Sequence, residues 1–254
     1  MPIPDPTTAL LVLARVAGLV VGAPVLGHAL IPVRVRAGLA ALLALALTPA
    51  VPVVAAPPTL WALVAAVVVE SALGLLIGLV AAFVVAGVQL GGQIAGVHMG
   101  FGMASLIDPQ SQTTLTVVAQ WEYLIALAVF LALDVHHLLV RALLDSFRAA
   151  PPGSVVLAEN GIRGVVALSA DVFAIGVRIA GPVLIVLLLS NAALGVLART
   201  IPQLNVFVIG FPVNVGVGLM ALGMSLPFTV RLLAARLGAL EPTLATLVHG
   251  VTHG

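Results

Sequence analysis

The chain contains no cysteine and no lysine, and only 7% of its 254 residues are charged. Without cysteine it has no disulfide bond, no thiolate metal site and no cysteine nucleophile. Soluble domains carry about 25% charged residues, so this composition indicates a membrane protein. A formal net charge of +1 leaves no basic surface field of the kind that binds nucleic acid.

Apolar sequence dominates instead, with 62% hydrophobic residues and a mean hydropathy of +1.27. A chain of this length suits about six membrane helices of about 20 residues each with their connections. We therefore predict an all-α, membrane-embedded fold. Met1–Pro6 lacks the positively charged start of a signal peptide, so we expect the first apolar run to stay in the protein.

Prolines, glycines and capping residues divide the apolar sequence into predicted helices. Two of these helices exceed the length that a bilayer requires, so we expect them to tilt, protrude or bend. The fourth is expected to continue into an amphipathic segment after residue 133, and the sixth to be interrupted at residues 210–212. The predicted helices cover about residues 7–29, 37–47, 60–90, 113–133, 164–197 and 205–226.

A glycine-rich stretch, residues 89–113, separates the third and fourth predicted helices. Each of its five glycines weakens a helix by about 1 kcal/mol relative to alanine, and Asp108-Pro109 is a turn signal. Its methionines and Phe101 are nevertheless too apolar for an ordinary solvated loop. Non-helical backbone at membrane depth is tolerated where it is buried in protein or lines a cavity. We predict a pore loop, a gate or a break that forms a substrate site.

The centre of this stretch, residues 93–105, is named the gate segment. Methionine and phenylalanine side chains can pack together to exclude water and ions, and glycines let the backbone move aside. The hypothesis is a plug that closes a channel, and the alternative is a helix break needed only for packing. The candidate plug residues are Gln93, Met99, Gly100, Phe101, Gly102, Met103, Ala104 and Ser105.

Two segments carry a resemblance to a known family. Residues 98–111 read HMGFGMASLIDPQS, and residues 199–212 read RTIPQLNVFVIGFP. Both resemble signature motifs of the FliR family, a component of the flagellar type III export gate whose virulence counterpart is the SctT family. The motifs occur in the family's order, in a chain of matching length and hydropathy, and the resemblance covers nearly the whole sequence.

The resemblance implies a single export-gate domain over residues 1–254, built of long, kinked helical hairpins within a helical ring that stands partly proud of the inner membrane. It implies no enzymatic activity and no cofactor. The implied partners are FliP-like and FliQ-like ring subunits, an FlhB-like switch protein and an FlhA-like motor. Unfolded rod, hook and filament subunits would be the cargo. The motifs resemble the flagellar branch more than the virulence branch, which stays an alternative.

The second motif is expected to contact neighbouring subunits around the ring. Pro202 can begin a helix, while Gln203 and Asn205 offer hydrogen bonds at a break between helices. The alternative is a capped turn between the fifth and sixth helices. The candidate contact residues are Pro202, Gln203, Asn205, Phe207, Gly210, Phe211 and Pro212.

Four charged residues lie inside apolar runs: Arg15, Glu70, Asp171 and Arg178. A charge at the bilayer centre costs at least about 2.5–3.5 kcal/mol on insertion scales, so each needs a partner or water. One interpretation is an ion or proton path in a secondary transporter of small solutes, with broken helices as its binding site. The favoured interpretation is structural, either contacts between subunits or exposure above the membrane, because no two acidic residues have the spacing of a relay.

Metal binding and catalysis find no support in the sequence. His136 and His137 are adjacent and are not expected to share one helical face, and the His249–His253 pair lacks the glutamate of a zinc helix. No serine has a nucleophile motif, and no phosphate loop is present. The charged residues 134, 137, 141, 145 and 148 are expected to form one solvated helical face with ion pairs at Arg141–Asp145 and Asp145–Arg148.

Overall fold

The protein is described by a computed structural model over residues 5–28, 30–54, 57–102, 115–155, 159–201 and 206–252. Within these ranges the backbone is mostly α-helical, and it contains no β-strand. The prediction of an all-α fold is confirmed. The helices are α1 Pro6–Gly22, α2 Val33–Leu47, α3 Leu60–Met99, α4 Val117–Ala132, α5 Val135–Ala149, α6 Glu159–Thr200, α7 Val206–Gly238 and α8 Leu240–Thr252, with one 3-10 helix at Thr48–Ala50.

Several helices are long and apolar enough to cross a membrane. Four described segments meet this condition, and a fifth does if α4 and α5, which meet at a bend of 63°, count as one span. These lengths and compositions agree with the predicted membrane-embedded protein. The four segments are Val33–Ala50, Leu60–Met99, Val166–Thr200 and Val208–Thr246.

One compact unit comprises residues 1–83, 130–169 and 236–254. In it α1 packs against the first half of α3 through glycines one helical turn apart on each helix, Gly18 and Gly22 against Gly74 and Gly78. A Cβ atom at Gly74 would overlap the carbonyl oxygen of Arg15, and one at Gly78 would lie 2.7 Å from the Ala23 nitrogen. Glycine pairs at this spacing let two helix backbones approach closely.

The second compact unit comprises residues 84–129 and 170–235. Here the second half of α3 packs against α6, because Gly87 faces Ile175 and Gly91 faces Ile179. Gly176 on α6 in turn faces Leu90. The unit has its own apolar core, in which the buried residues are Ala95, Met99, Val118, Val183, Leu187 and Ala221.

The third helix is longer than the sequence predicted. It continues from Leu90 to Met99, although Gly91, Gly92 and Gly96 weaken it locally. Close packing explains this result, because a Cβ atom at Gly92 would lie 2.9 Å from the Ala119 Cα atom. The glycines of this part of α3 are sites of close helix contact and not the start of a loop.

The first helix is shorter than predicted. It ends at Gly22, and Ala23 has extended backbone angles. The physical reason is Pro24, since the residue before a proline disfavours the α conformation. The helix is capped by Asp5, whose carboxylate accepts a 3.2 Å hydrogen bond from the Thr8 N–H group, and not by Thr7 or Thr8 as expected.

The expected continuation of the fourth helix is wrong at Asp134. This residue has a left-handed backbone with φ of 53° and separates α4 from α5 at the 63° bend. Aspartate tolerates the left-handed region better than most residues. In the following helix, Asp145 forms the predicted salt bridge with Arg148 at 3.0 Å, whereas the structure shows no ion pair between the described side chains of Arg141 and Asp145.

The expected interruption of the last long helix is also wrong. α7 runs from Val206 to Gly238 and passes through both Pro212 and Pro227. Each proline removes one helical hydrogen bond, but neighbouring helices and local adjustments make such prolines tolerable in membrane helices. The expected polar tail after residue 231 begins as the end of α7 and continues as α8.

Candidate gate site and buried charge network

The two sequence motifs meet at Gly100 and Phe211. Gly100 follows α3 directly and has φ of 102°, a conformation that glycine adopts without steric cost. A Cβ atom on Gly100 would lie 2.8 Å from the Cδ2 atom of the Phe211 ring. The gate segment and the second motif therefore contact each other within one chain, a relation that the sequence analysis did not predict.

Met99 supplies the buried side of this contact. Its side chain is fully buried and lies against Gly218, where a Cβ atom would be 2.6 Å from Cγ and 2.9 Å from Cε of Met99. Phe101 packs against the same apolar cluster. The described part of the gate segment thus contributes Met99 and Phe101 to an apolar core, and the plug hypothesis stays a prediction.

Gln93 lies in α3 and not in a loop, so its predicted location is wrong. Its side-chain oxygen accepts a 2.8 Å hydrogen bond from the N–H group of Thr116, the residue directly before α4. The Thr116 hydroxyl oxygen then accepts a 3.2 Å bond from the Ala119 N–H group, the usual arrangement of an N-cap threonine. These bonds join Gln93, the first residue of the gate segment, to the beginning of α4.

The remaining predicted site residues lie in α7 or outside the described ranges. Gly210, Phe211 and Pro212 lie in α7, as does the backbone of Phe207. Phe211 is about half exposed and contacts Gly100, while its predicted contact with a neighbouring subunit stays a prediction. The residues outside the described ranges are Met103, Ala104, Ser105, Pro202, Gln203 and Asn205.

Glu122 is a buried acidic residue that the sequence analysis missed. It lies in α4 with 2% of its surface exposed, and its Cγ atom would be 2.9 Å from a Cβ atom at Gly92. Its buried Oε2 atom has no hydrogen-bond partner. The signal available in the sequence was a single acidic residue in the apolar run of the fourth predicted helix.

Arg15 has a complete set of partners in the first unit. Its Nε atom donates to Glu70 Oε2 at 2.5 Å, its Nη1 atom to the Ser146 hydroxyl at 3.0 Å, and its Nη2 atom to the Ala150 carbonyl at 3.0 Å. The Phe147 ring centre lies 4.2 Å from the guanidinium carbon. The expectation that Arg15 needs a partner is confirmed.

Glu70 is equally well compensated. Its second carboxylate oxygen, Oε1, accepts a 2.8 Å hydrogen bond from the Gly153 N–H group. A buried pair with its remaining hydrogen-bonding groups satisfied is a structural element. Glu70 is therefore structural through contacts within this chain, and not through the expected subunit contact or exposure above the membrane. Of the other two charges, Arg178 is exposed and Asp171 is half-buried.

Asp134, His136 and His137 form a cluster that the sequence analysis had excluded on helical geometry. One ligand atom from each lies within 4.8 Å of the others, because Asp134 precedes α5 and the histidines occupy its first turn. A metal-binding histidine normally donates its other ring N–H group, but the Nδ1 atom of His136 is buried without a partner. The positive end of the helix dipole also disfavours a cation here.

Residues 7–240 of this chain match the family described as bacterial export proteins, family 1. The chain belongs to this family. Its relatives include the flagellar biosynthetic protein FliR of Escherichia coli (strain K12), 34% identical over 85% of this chain and 82% of that protein. FliR of Caulobacter vibrioides is 33% identical over 86% and 88% of the two chains. FliR of Bacillus subtilis (strain 168) is 33% identical over 84% and 83%.

Membership of the FliR family confirms the resemblance found in the sequence. It also supports, at a coarse level, a flagellar export-apparatus component that is embedded in a membrane and associates with other proteins of that apparatus. The contacts of Met99, Gly100, Phe101 and Phe211 are therefore contacts within a FliR-family protein.

Proposed function

We propose that the chain lines and plugs the flagellar type III export gate, which passes unfolded rod, hook and filament subunits across the inner membrane. The observation that carries this proposal is the contact between the two family motifs, Gly100 with Phe211, beside an apolar cluster that contains Met99 and Phe101. Met99 and Phe101 come from the gate segment, while Phe211 comes from the second motif. A plug must pack well enough to exclude ions from a channel that later admits a polypeptide.

The composition of the gate segment suits this task. Met99 is unbranched and flexible, so it can fill an irregular gap and leave it again without breaking a polar contact. Gly100 already has a backbone conformation that other residues rarely adopt, and Gly102 follows two residues later. Energy for export would come from other proteins, since this chain offers neither a nucleotide-binding loop nor a catalytic motif.

The proposed partners are FliP-like and FliQ-like subunits in a helical ring, with FlhB-like and FlhA-like proteins beside it. Large apolar side chains on the long helices support this proposal, because they need either lipid or protein to cover them. Leu188 on α6 and Met224 on α7 are examples, with exposed fractions of 70% and 79%.

Other hypotheses make different predictions. A virulence-type export gate would have the same architecture but different cargo. A small-solute transporter would function without partner subunits, and the fully compensated Arg15–Glu70 pair gives it no ion path. A structural assembly seed would contain an immobile gate segment.

The first experiment is a secretion assay. The gene is deleted in its host, and filament subunit protein is measured in the medium and in the cells. We expect loss of export with subunits retained inside, and recovery with a plasmid copy. Normal export from the deletion strain would contradict the flagellar proposal and favour the virulence-type gate.

The plug itself is tested by deleting residues 100–105. We expect the complex to assemble and the membrane to leak ions, because the apolar closure is removed. Ion flux is measured in vesicles that contain the assembled complex, with the wild-type complex as control. An assembled complex that stays tight would support the assembly-seed hypothesis instead.

A further inference from the structure

We propose that α7 acts as a latch for the gate segment, with Gly218 as the seat of Met99 and Phe211 as a cover over Gly100. The inference rests on the proposed plug function and adds the residues that hold the plug shut. Phe211 and Gly218 are two helical turns apart and therefore lie on the same face of α7. A single helix thus contacts two successive residues of the gate segment.

The seat depends on the absence of a side chain at residue 218. A Cβ atom there would lie 2.6 Å from Cγ, 2.9 Å from Cε and 3.1 Å from Sδ of Met99. Three atoms along the methionine side chain are affected, so moving only its tip would not make room. A Cβ atom at residue 218 would therefore force Met99 or the α7 backbone to shift.

The second contact of the latch is between the Phe211 ring and Gly100. The Phe211 Cδ2 and Cε2 atoms lie 2.8 and 2.9 Å from the position of a Cβ atom on Gly100. The ring therefore occupies the space beside the first residue after α3. For the gate segment to leave, Met99 must leave its seat and the Phe211 ring must separate from Gly100, so a shift of α7 would release both contacts together.

Other glycines of α7 supply matched controls. Among the described residues of this chain, no atom lies within 4 Å of a Cβ atom built on Gly216 or Gly223, so these residues leave room for alanine at either position. In a helix interior, alanine is favoured over glycine at all three positions. An increased ion leak seen only with Gly218→Ala must therefore come from contact with Met99 and not from a change in helix propensity.

The experiment measures ion flux in vesicles containing the assembled export complex. We expect Gly218→Ala to raise the leak about tenfold, the order of change expected when one methyl group overpacks a closed core, and Gly218→Val to raise it further. Gly216→Ala and Gly223→Ala should leave the leak at the wild-type level. Co-purification of the partner subunits confirms assembly of each variant.

The deletion of residues 100–105 is measured in parallel to separate the two proposals. A leak from the deletion with none from Gly218→Ala or Gly218→Val overturns the latch and leaves the plug in place. No leak from either change overturns both. Equal leaks from all three glycine variants would also overturn the latch, because the controls do not touch Met99.

A second measurement keeps the latch testable if Gly218→Ala or Gly218→Val assembles poorly. The cysteine-free chain permits the pair Met99→Cys and Gly218→Cys, whose Cβ atoms would lie no more than about 4.1 Å apart given a carbon–carbon bond of about 1.5 Å. Oxidation should cross-link the pair and stop export, and reduction should restore export. Export by each single-cysteine variant should not change when the oxidant is added. Continued export by fully cross-linked protein would overturn the latch.

Discussion

At the scale of single residues, the first unit accommodates charge in an apolar setting by using every polar atom of Arg15 and Glu70. The guanidinium donates to a carboxylate, a hydroxyl and a carbonyl, and the carboxylate also accepts from Gly153. A buried charge without a partner would cost several kcal/mol. The pair therefore connects α1, α3 and the end of α5 only as long as both members are present.

We expect Glu70→Ala to destabilise the protein by about 3–5 kcal/mol, because it leaves Arg15 buried without its counter-charge. The measurement is the apparent thermal stability of the detergent-purified protein. Asp145→Ala is the matched control, since it breaks the exposed Asp145–Arg148 pair, which contributes about 0.2–1 kcal/mol.

The double variant Arg15→Met with Glu70→Leu completes this experiment. It removes both charges together, so it should recover much of the stability that Glu70→Ala loses. Similar losses from Glu70→Ala and Asp145→Ala would mean that the Arg15–Glu70 pair is not buried in the folded protein.

At the scale of helices, glycine has opposite effects on different elements. Gly18 and Gly22 on α1 and Gly74 and Gly78 on α3 bring two backbones together. A Cβ atom on Gly38 of α2, by contrast, would have no atom of the described part of the chain within 4 Å. The same residue type is therefore a packing requirement in one helix and a replaceable residue in another.

Gly74→Ala and Gly38→Ala test this difference. We expect Gly74→Ala to destabilise the protein by about 1–3 kcal/mol through overpacking, because its Cβ atom would overlap the Arg15 carbonyl oxygen. Gly38→Ala should be neutral or stabilise α2 by up to about 1 kcal/mol through helix propensity. Both are compared with wild type by thermal stability in detergent, and a destabilisation of equal size in both would contradict the close packing of α1 on α3.

At the scale of the whole molecule, much of the apolar surface lies outside either core. Exposed large hydrophobic residues occur on α2, α3, α6 and α7, and four described segments can cross a membrane. Lipid can cover part of such a surface, whereas the FliR-family assignment implies that other export proteins cover the rest. The chain is therefore expected to be more stable as a subunit than alone.

Co-expression tests this expectation. The chain is produced alone and together with the FliP-like and FliQ-like proteins of its own organism, then extracted in mild detergent. We expect the partners to raise the yield of monodisperse protein about fivefold or more, because binding to the folded state stabilises it. An unrelated membrane protein expressed in place of the partners is the control. Full yield and stability without partners would favour a stand-alone transporter.

Local sequence patterns predicted where helices occur better than where they end. Each of the six predicted helices corresponds to an α-helix, although α1 ends earlier and α3 later than predicted. The end of α3 was missed because the contacts of Gly91 and Gly92 come from Ile179 and Ala119, which lie outside the local sequence. The bend at Asp134 was missed because a single left-handed residue leaves little trace in a hydropathy pattern.

Composition by itself determined that this is an all-α membrane protein, since helices satisfy their own backbone hydrogen bonds in lipid, and its motifs determined the family. Tertiary structure alone decided which distant residues meet. It paired Arg15 with Glu70, placed Met99 on Gly218 and set Phe211 beside Gly100. Such contacts depend on how helices pack, and the fit of side chains across a helix interface is not encoded in the local pattern of either helix.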